Sequence, residues 1–183
     1  MARIEDGKGS GREVSVSSDN RLDVSSRSNP REYYISRDDG QAYHFTSSYN
    51  ATTGSVVISI RNTSKTKNLF IGEIVCSNTT NTGWNIYLNS GADTGTTIPS
   101  VNLNKTSSNA AETDALGNGD VTLGTANTST GLISCFYTEP FAVHQIELKD
   151  SVILGTDNSI NVELFGATLG SCTVALTLDG HFE

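Results

Sequence analysis

The sequence predicts an all-β protein: a single β-sandwich or jelly-roll-like domain of about ten strands, carrying an extended N-terminal arm. Three observations predict it. Short β-branched runs recur at intervals of roughly 8–12 residues with turn residues between them. Only 17% of the 183 residues are charged and 36% are hydrophobic, and most of the remainder is Ser, Thr, Asn and Gly, a composition suited to strands and turns. Helices draw instead on Ala, Leu, Glu and Lys. The last run alternates cleanly, with Cys172, Val174, Leu176 and Leu178 on one face and Thr173, Ala175, Thr177 and Asp179 on the other.

Residues 1–29 read as an arm. The first 39 residues hold seven of the 12 basic side chains but few large aliphatic ones, too little apolar surface for a core of their own. Gly7–Gly11 (GKGSG) has linker composition. Val14, Val16, Leu22 and Val24 lie at strand spacing, interleaved with Arg12, Arg21 and Arg27. These seven are the candidate partner-binding residues, because such an arm can add a strand to a neighbour's sheet edge while its guanidinium groups meet carboxylates.

The body spans 30–183. Tyr33-Tyr34-Ile35 and the run 41–49 flank Asp38-Asp39-Gly40, a hairpin signal because Asp-Gly tolerates positive φ. Runs 56–60 and 69–75 flank a polar turn and read as a second, central hairpin. In that reading Val56, Ile58 and Ile60 share a face; Leu69, Ile71 and Val75 share another, interrupted by Glu73. A strand follows at 84–88. Residues 91–130 form a long Ser/Thr/Asn/Gly-rich excursion, the pattern of a binding loop, in which Asn109 and Glu112 can cap a short helix over 109–116. Strands resume at 132–137, 141–149, 152–154, 160–165 and 172–178.

No catalytic or cofactor motif emerges: there is no GxSxG, HExxH or GxxxxGK[ST]. His44, His144 and His181 are far apart in sequence, and the first two read as packed strand residues. Glu112, Asp114 and Asp120 lack the DxDxDG ladder of a calcium loop. Cys76, Cys135 and Cys172 lie in apolar runs and read as buried, reduced thiols. Trp84, Tyr43, Tyr49, Tyr87 and Tyr137 are the candidates for a sugar platform, although alternation favours the core for them. The net charge of −8 argues against a nucleic-acid face, and no run is long enough for a membrane helix. The sequence opens on no signal-peptide pattern, which predicts synthesis in the cytosol.

The arm DGKGSGREVSVSSDNRLDVSSRS leading into EYYISRDDGQAYHFTSS, the paired runs VVISIRNTSKTKNLFIGEI, the loop IPSVNLNKTSSNAAETD and the return DSVILGTDNSINVELFG together resemble, along the whole chain, a virion structural protein of a tailed bacteriophage. The resemblance implies a non-enzymatic capsid decoration, or cement, protein that binds the major capsid protein and copies of itself. It implies a homo-oligomer, with a trimer favoured, on the outer capsid surface. It assigns no residue a role. The alternative within the virion is a tail, baseplate or fibre component that binds glycan through the 91–130 loop. No cofactor, nucleic acid or membrane enters either reading.

Overall fold

The computed structural model describes residues 40–52, 54–124, 131–165 and 172–183. The arm, its seven candidate residues and the Tyr33–Ile35 run lie outside the described residues. Eleven strands follow in order: β1 (Ala42–Ala51), β2 (Val56–Asn62), β3 (Leu69–Asn78), β4 (Thr82–Ser90), β5 (Thr94–Thr97), β6 (Ser100–Asn102), β7 (Thr113–Thr122), β8 (Leu132–Thr138), β9 (Val143–Leu154), β10 (Asn158–Phe165) and β11 (Cys172–Phe182). They form two antiparallel sheets, ordered β6-β1-β11-β3-β9 and β5-β7-β2-β10-β4-β8. The all-β expectation holds, with no helix among the described residues.

One core fills the space between the sheets. Tyr43 and Phe45 of β1, Trp84 and Ile86 of β4, Ile160 and Leu164 of β10 and Val174, Leu176 and Leu178 of β11 are all buried in it. The alternation predicted for β11 is borne out: Cys172, Val174, Leu176 and Leu178 point inward.

The central hairpin does not form. β2 pairs with β7 and β10 in one sheet, whereas β3 pairs with β9 and β11 in the other. The chain from 63 to 68 is therefore a crossing between layers. Asn62 anchors it, fully buried: its Nδ2 donates to the Lys67 and Leu154 carbonyls at 2.9 and 2.8 Å, and its Oδ1 accepts from the Ser64 amide at 2.9 Å. Two apolar runs with a short polar link look alike whether they pair or cross, because each run needs a sheet behind it in either case.

The face assignments shift for the same reason in both strands. In β3 the register breaks between Ile71 and Glu73, so Leu69 and Ile71 are buried before the break, and Ile74 and Cys76 after it. A bulge at Gly72 moves the inward phase by one residue, which puts Val75 on the half-buried face. In β2, Val57 occupies a bulge opposite the Val162–Glu163 step and is buried along with Val56, Ile58 and Ile60.

The 91–130 excursion is likewise not a loop in its described parts. β6 pairs with β1, and β5 and β7 extend the other sheet from β2. The short helix expected over 109–116 is replaced by the start of β7, where Ala115 and Leu116 are buried against β2. Eight residues give too few helical hydrogen bonds to outweigh the nucleation cost, and strand pairing wins. β7 also bridges to β1: the Asn118 amide donates to Ser47 Oγ at 2.9 Å, and the Ser48 amide donates to Asn118 Oδ1 at 3.3 Å. That side of the sandwich is closed. β1 meets β11 and β6 near its start, and Gly40, at φ 59°, lies under Asn102, whose Nδ2 donates to its carbonyl at 2.9 Å; the rest of the hairpin turn expected at 38–40 lies outside the described residues.

The two runs expected at 141–149 and 152–154 are one strand, β9, with an internal bulge. Lys149 and Asp150 take φ of 49° and 59°, and Ser151 Oγ donates to the Leu148 carbonyl at 2.6 Å.

Candidate interaction surface

The side opposite β7 is formed by β8 and β9, which end their respective sheets. β8 reads LISCFYT and contains no charged residue. Phe136 faces inward and stacks on the fully buried Trp84, at 6.4 Å between ring centroids. On its other face lies His144 of β9, at 4.8 Å. This stack links the two sheet ends. His144 is exposed rather than packed inside the strand as expected, because an end strand has a neighbour on one side only.

Alternation then turns Cys135 and Tyr137 outward, and a break in the β4 ladder at Ile133 leaves Ile133 and Leu132 both exposed. The Tyr137 ring packs edge-on against Phe165, 5.1 Å away, across Gly83, where a Cβ would come within 2.7 Å of the Phe165 ring. Glycine at 83 lets the two rings meet over the sheet face. The ring is thereby held in place while remaining 66% exposed. Its neighbours on this side are also uncovered: Leu132 at 51%, Ile133 at 42%, Phe141 at 80% and Val143 at 72%.

Phe141 is the most exposed of them and sits in the left-handed region, φ 62°. Its amide donates to the Asn78 carbonyl at 2.7 Å. A bulky non-glycine residue in that region costs on the order of 1–3 kcal/mol, and such strain collects at functional positions. Contiguous exposed apolar groups of this kind mark contact surfaces.

The end of this side is polar and ordered. Trp84 Nε1 donates to Thr138 Oγ1 at 2.8 Å, and that hydroxyl donates to Asn78 Oδ1 at 2.6 Å. The chain linking β8 to β9 is thus tied to β3 through Asn78, which fixes where Phe141 emerges.

The remaining candidates resolve individually. Trp84, Tyr43 and Tyr87 are buried and Tyr49 is half-buried; Tyr137 alone of the five aromatic candidates is exposed. Cys76 and Cys172 are buried as expected, but Cys135 is exposed, a correction that follows from its outward place in an end strand. Burial pushes the Cys76 thiol up to about 12, which makes it inert. Burial also pushes Cys172 up, yet hydrogen bonds with Thr80, Thr82 and backbone amides outweigh it and leave the thiol below its usual value. Asp114 pairs with Arg61, which also reaches Asp157 at 3.2 Å. His181, fully buried, stacks on Phe70 and lies 3.8 Å from an Asp150 oxygen and 3.7 Å from a Glu183 oxygen. No group of three or more His, Cys, Asp or Glu suited to a metal occurs among the described residues.

Glu163 and Tyr87 lie close enough to affect each other's titration. Burial pushes the Glu163 carboxyl up, and the Tyr87 hydroxyl offsets part of that. The Tyr87 phenol is pushed up by burial first and by the nearby carboxylate second.

No family model matches the chain, and neither a curated protein nor a solved structure is similar to it. No helix among the described residues is long and apolar enough to cross a membrane. The chain is a two-sheet antiparallel β protein with an exposed apolar side at β8 and β9.

Sequence reasoning did not single out β8. The signal was present: a strand of seven residues, uncharged, with apolar residues on both faces. Such a run fits a central strand equally well, and only the strand order puts it at the end of a sheet.

Proposed function

We propose that the chain is a non-enzymatic structural protein of a phage virion, which binds the outside of the capsid and stabilises it. The observation that carries the reading is the exposed apolar side at β8 and β9, a surface suited to protein contact. The sequence resemblance supplies the context, and the charged arm supplies a second contact. In this reading the body associates with copies of itself, and the arm residues Arg12, Val14, Val16, Arg21, Leu22, Val24 and Arg27 engage the major capsid protein. An oligomer presents several arms together, so contacts that are weak singly add to firm attachment. The resemblance favours a trimer, whereas the β8 contact proposed below closes at two, and the mass of the assembly in solution decides between them.

The test is removal of residues 1–29. The shortened chain is expected to keep its strand signal in circular dichroism and its cooperative melting, yet to stop co-sedimenting with virions stripped of the native protein. Retained binding would refute the arm mechanism. Labelled protein on intact particles locates the chain: cover over the head supports decoration, and label confined to the tail supports the tail, baseplate or fibre alternative. Glycan binding in that alternative has less support, since Tyr137 is the one exposed aromatic among its candidates.

A further inference from the structure

We propose that the edge of β8 that no described strand pairs joins antiparallel with β8 of a second copy, across a two-fold axis at Cys135, making two six-stranded sheets into one. The inference goes beyond capsid binding and does not depend on it.

The argument begins from the four sheet ends. An open strand edge invites pairing with another chain, and proteins blunt such edges by shortening them, charging them or bulging them. β6 has three residues and β5 has four. β9 carries Glu147, Lys149 and Asp150, and its bulge holds two successive positive-φ residues. Those three ends are short, charged or doubly bent. β8 has seven residues and no charge, with one break in its ladder to β4 at Ile133 and with Tyr137 outward. It is the least protected of the four.

A second copy fits it better than an unlike partner does. The chain has a net charge of −8, so two copies repel except where a strip carries no carboxylate, and β8 is such a strip. The strand also matches itself. With Cys135 facing Cys135, residues 134–136 pair in regular register, and Ile133, at the break in the β4 ladder, comes beside the second copy's Tyr137 at both ends. Aromatic and β-branched residues are favourable cross-strand neighbours. A contact in which each copy uses the same patch is isologous and closes at two.

The area is sufficient. At their exposures Leu132, Ile133, Tyr137, Phe141 and Val143 each present on the order of 100 Å², given about 150–250 Å² for a whole aromatic side chain. Two copies therefore bury about 1,000 Å² from these side chains alone, the level at which specific interfaces begin. Phe141, strained and projecting at 80% exposure, flanks the pairing edge.

The test uses the full chain in sedimentation velocity, with Ile133→Lys/Tyr137→Glu as the variant. Both positions point away from the core, and circular dichroism checks the fold. The wild type is expected to sediment at twice the chain mass and the variant at the single mass. Treatment with diamide adds a second readout. It takes two protons and two electrons from the facing Cys135 thiols, and the disulfide gives a dimer band without reductant that Cys135→Ser abolishes. Facing Cα atoms in antiparallel strands lie about 4.5–5.5 Å apart, within disulfide reach. A single mass at all concentrations, a threefold mass, or a dimer indifferent to the double variant would overturn the proposal. A dimer without the Cys135 crosslink would overturn the register. A monomer that dimerises only after removal of residues 1–29 would overturn it in favour of the arm lying on this edge. Loss of the dimer with capsid binding intact leaves the proposed function standing, and the converse result leaves the β8 contact standing.

Discussion

Asn62→Ala tests the crossing between the sheets most directly. Alanine removes two donations and one acceptance, leaving the Leu154 carbonyl, the Lys67 carbonyl and the Ser64 amide without their side-chain partner. Ser64 is fully buried and Leu154 is 2% exposed, so those two groups have no ready access to water; Lys67 is half-buried and its carbonyl can turn outward. A buried polar group left unpaired costs about 1–3 kcal/mol, so two of them cost about 2–6 kcal/mol, with a centre near 4. For a domain of this size each kcal/mol lowers Tm by about 2–4 °C, which predicts a fall of about 8–16 °C. Urea unfolding followed by tryptophan fluorescence reads it directly, since Trp84 is fully buried. Asn62→Asp refines the assay. It keeps the acceptor for Ser64 but aims a carboxylate at two carbonyls, so at neutral pH it should cost at least as much as alanine. Part of that loss should return in acid, where the carboxyl O–H can donate. A loss below about 1 kcal/mol for Asn62→Ala would show that solvent already satisfies these groups, and the anchoring role would be wrong.

Two further outcomes follow from the burial of titratable groups. Of the three thiols, Cys135 is expected to react with a disulfide reagent in the native state of the monomeric Ile133→Lys/Tyr137→Glu variant, with Cys76 and Cys172 reacting only on unfolding; native labelling of Cys76 would contradict a thiol pushed up to about 12 in the core. Glu163 is a carboxyl with a raised folded-state pKa, so its stabilising effect is complete below the unfolded value of about 4.3 and is lost as pH rises through the folded value. Glu163→Gln should therefore raise Tm at neutral pH and change it little near pH 3, and an equal shift at both would show that its ionisation does not matter.

Residue pattern alone was enough for the strands. Val56–Ile60, Leu69–Val75 and the alternation of Cys172–Leu178 each state a β period, and β-branched side chains restrict the backbone to it. The phase flip at Gly72 was not legible, because a bulge is set by what the partner strands require at that point and leaves only a glycine in the sequence. The helix expected at 109–116 failed for a related reason: local capping was present, but pairing with β2 outweighed it. The polar excursion hid three strands because their side chains are mostly polar and exposed and carry no strong period.

The candidate surface shows the same division. That Leu132–Thr138 is an apolar, uncharged strand is written in its side chains. Whether such a strand lies buried between neighbours or open at the end of a sheet depends on which strands claim its two edges, and backbone hydrogen bonding carries no residue code for that choice. The order β10-β4-β8 is set by non-local packing around Trp84 and Phe136, far apart in the chain. The sequence by itself determined the all-β class and the apolar strands with a strong β period. Only the tertiary structure decided that β2 and β3 part into different sheets and that β8 ends its sheet among the described residues, because pairing partners are chosen by the whole core at once.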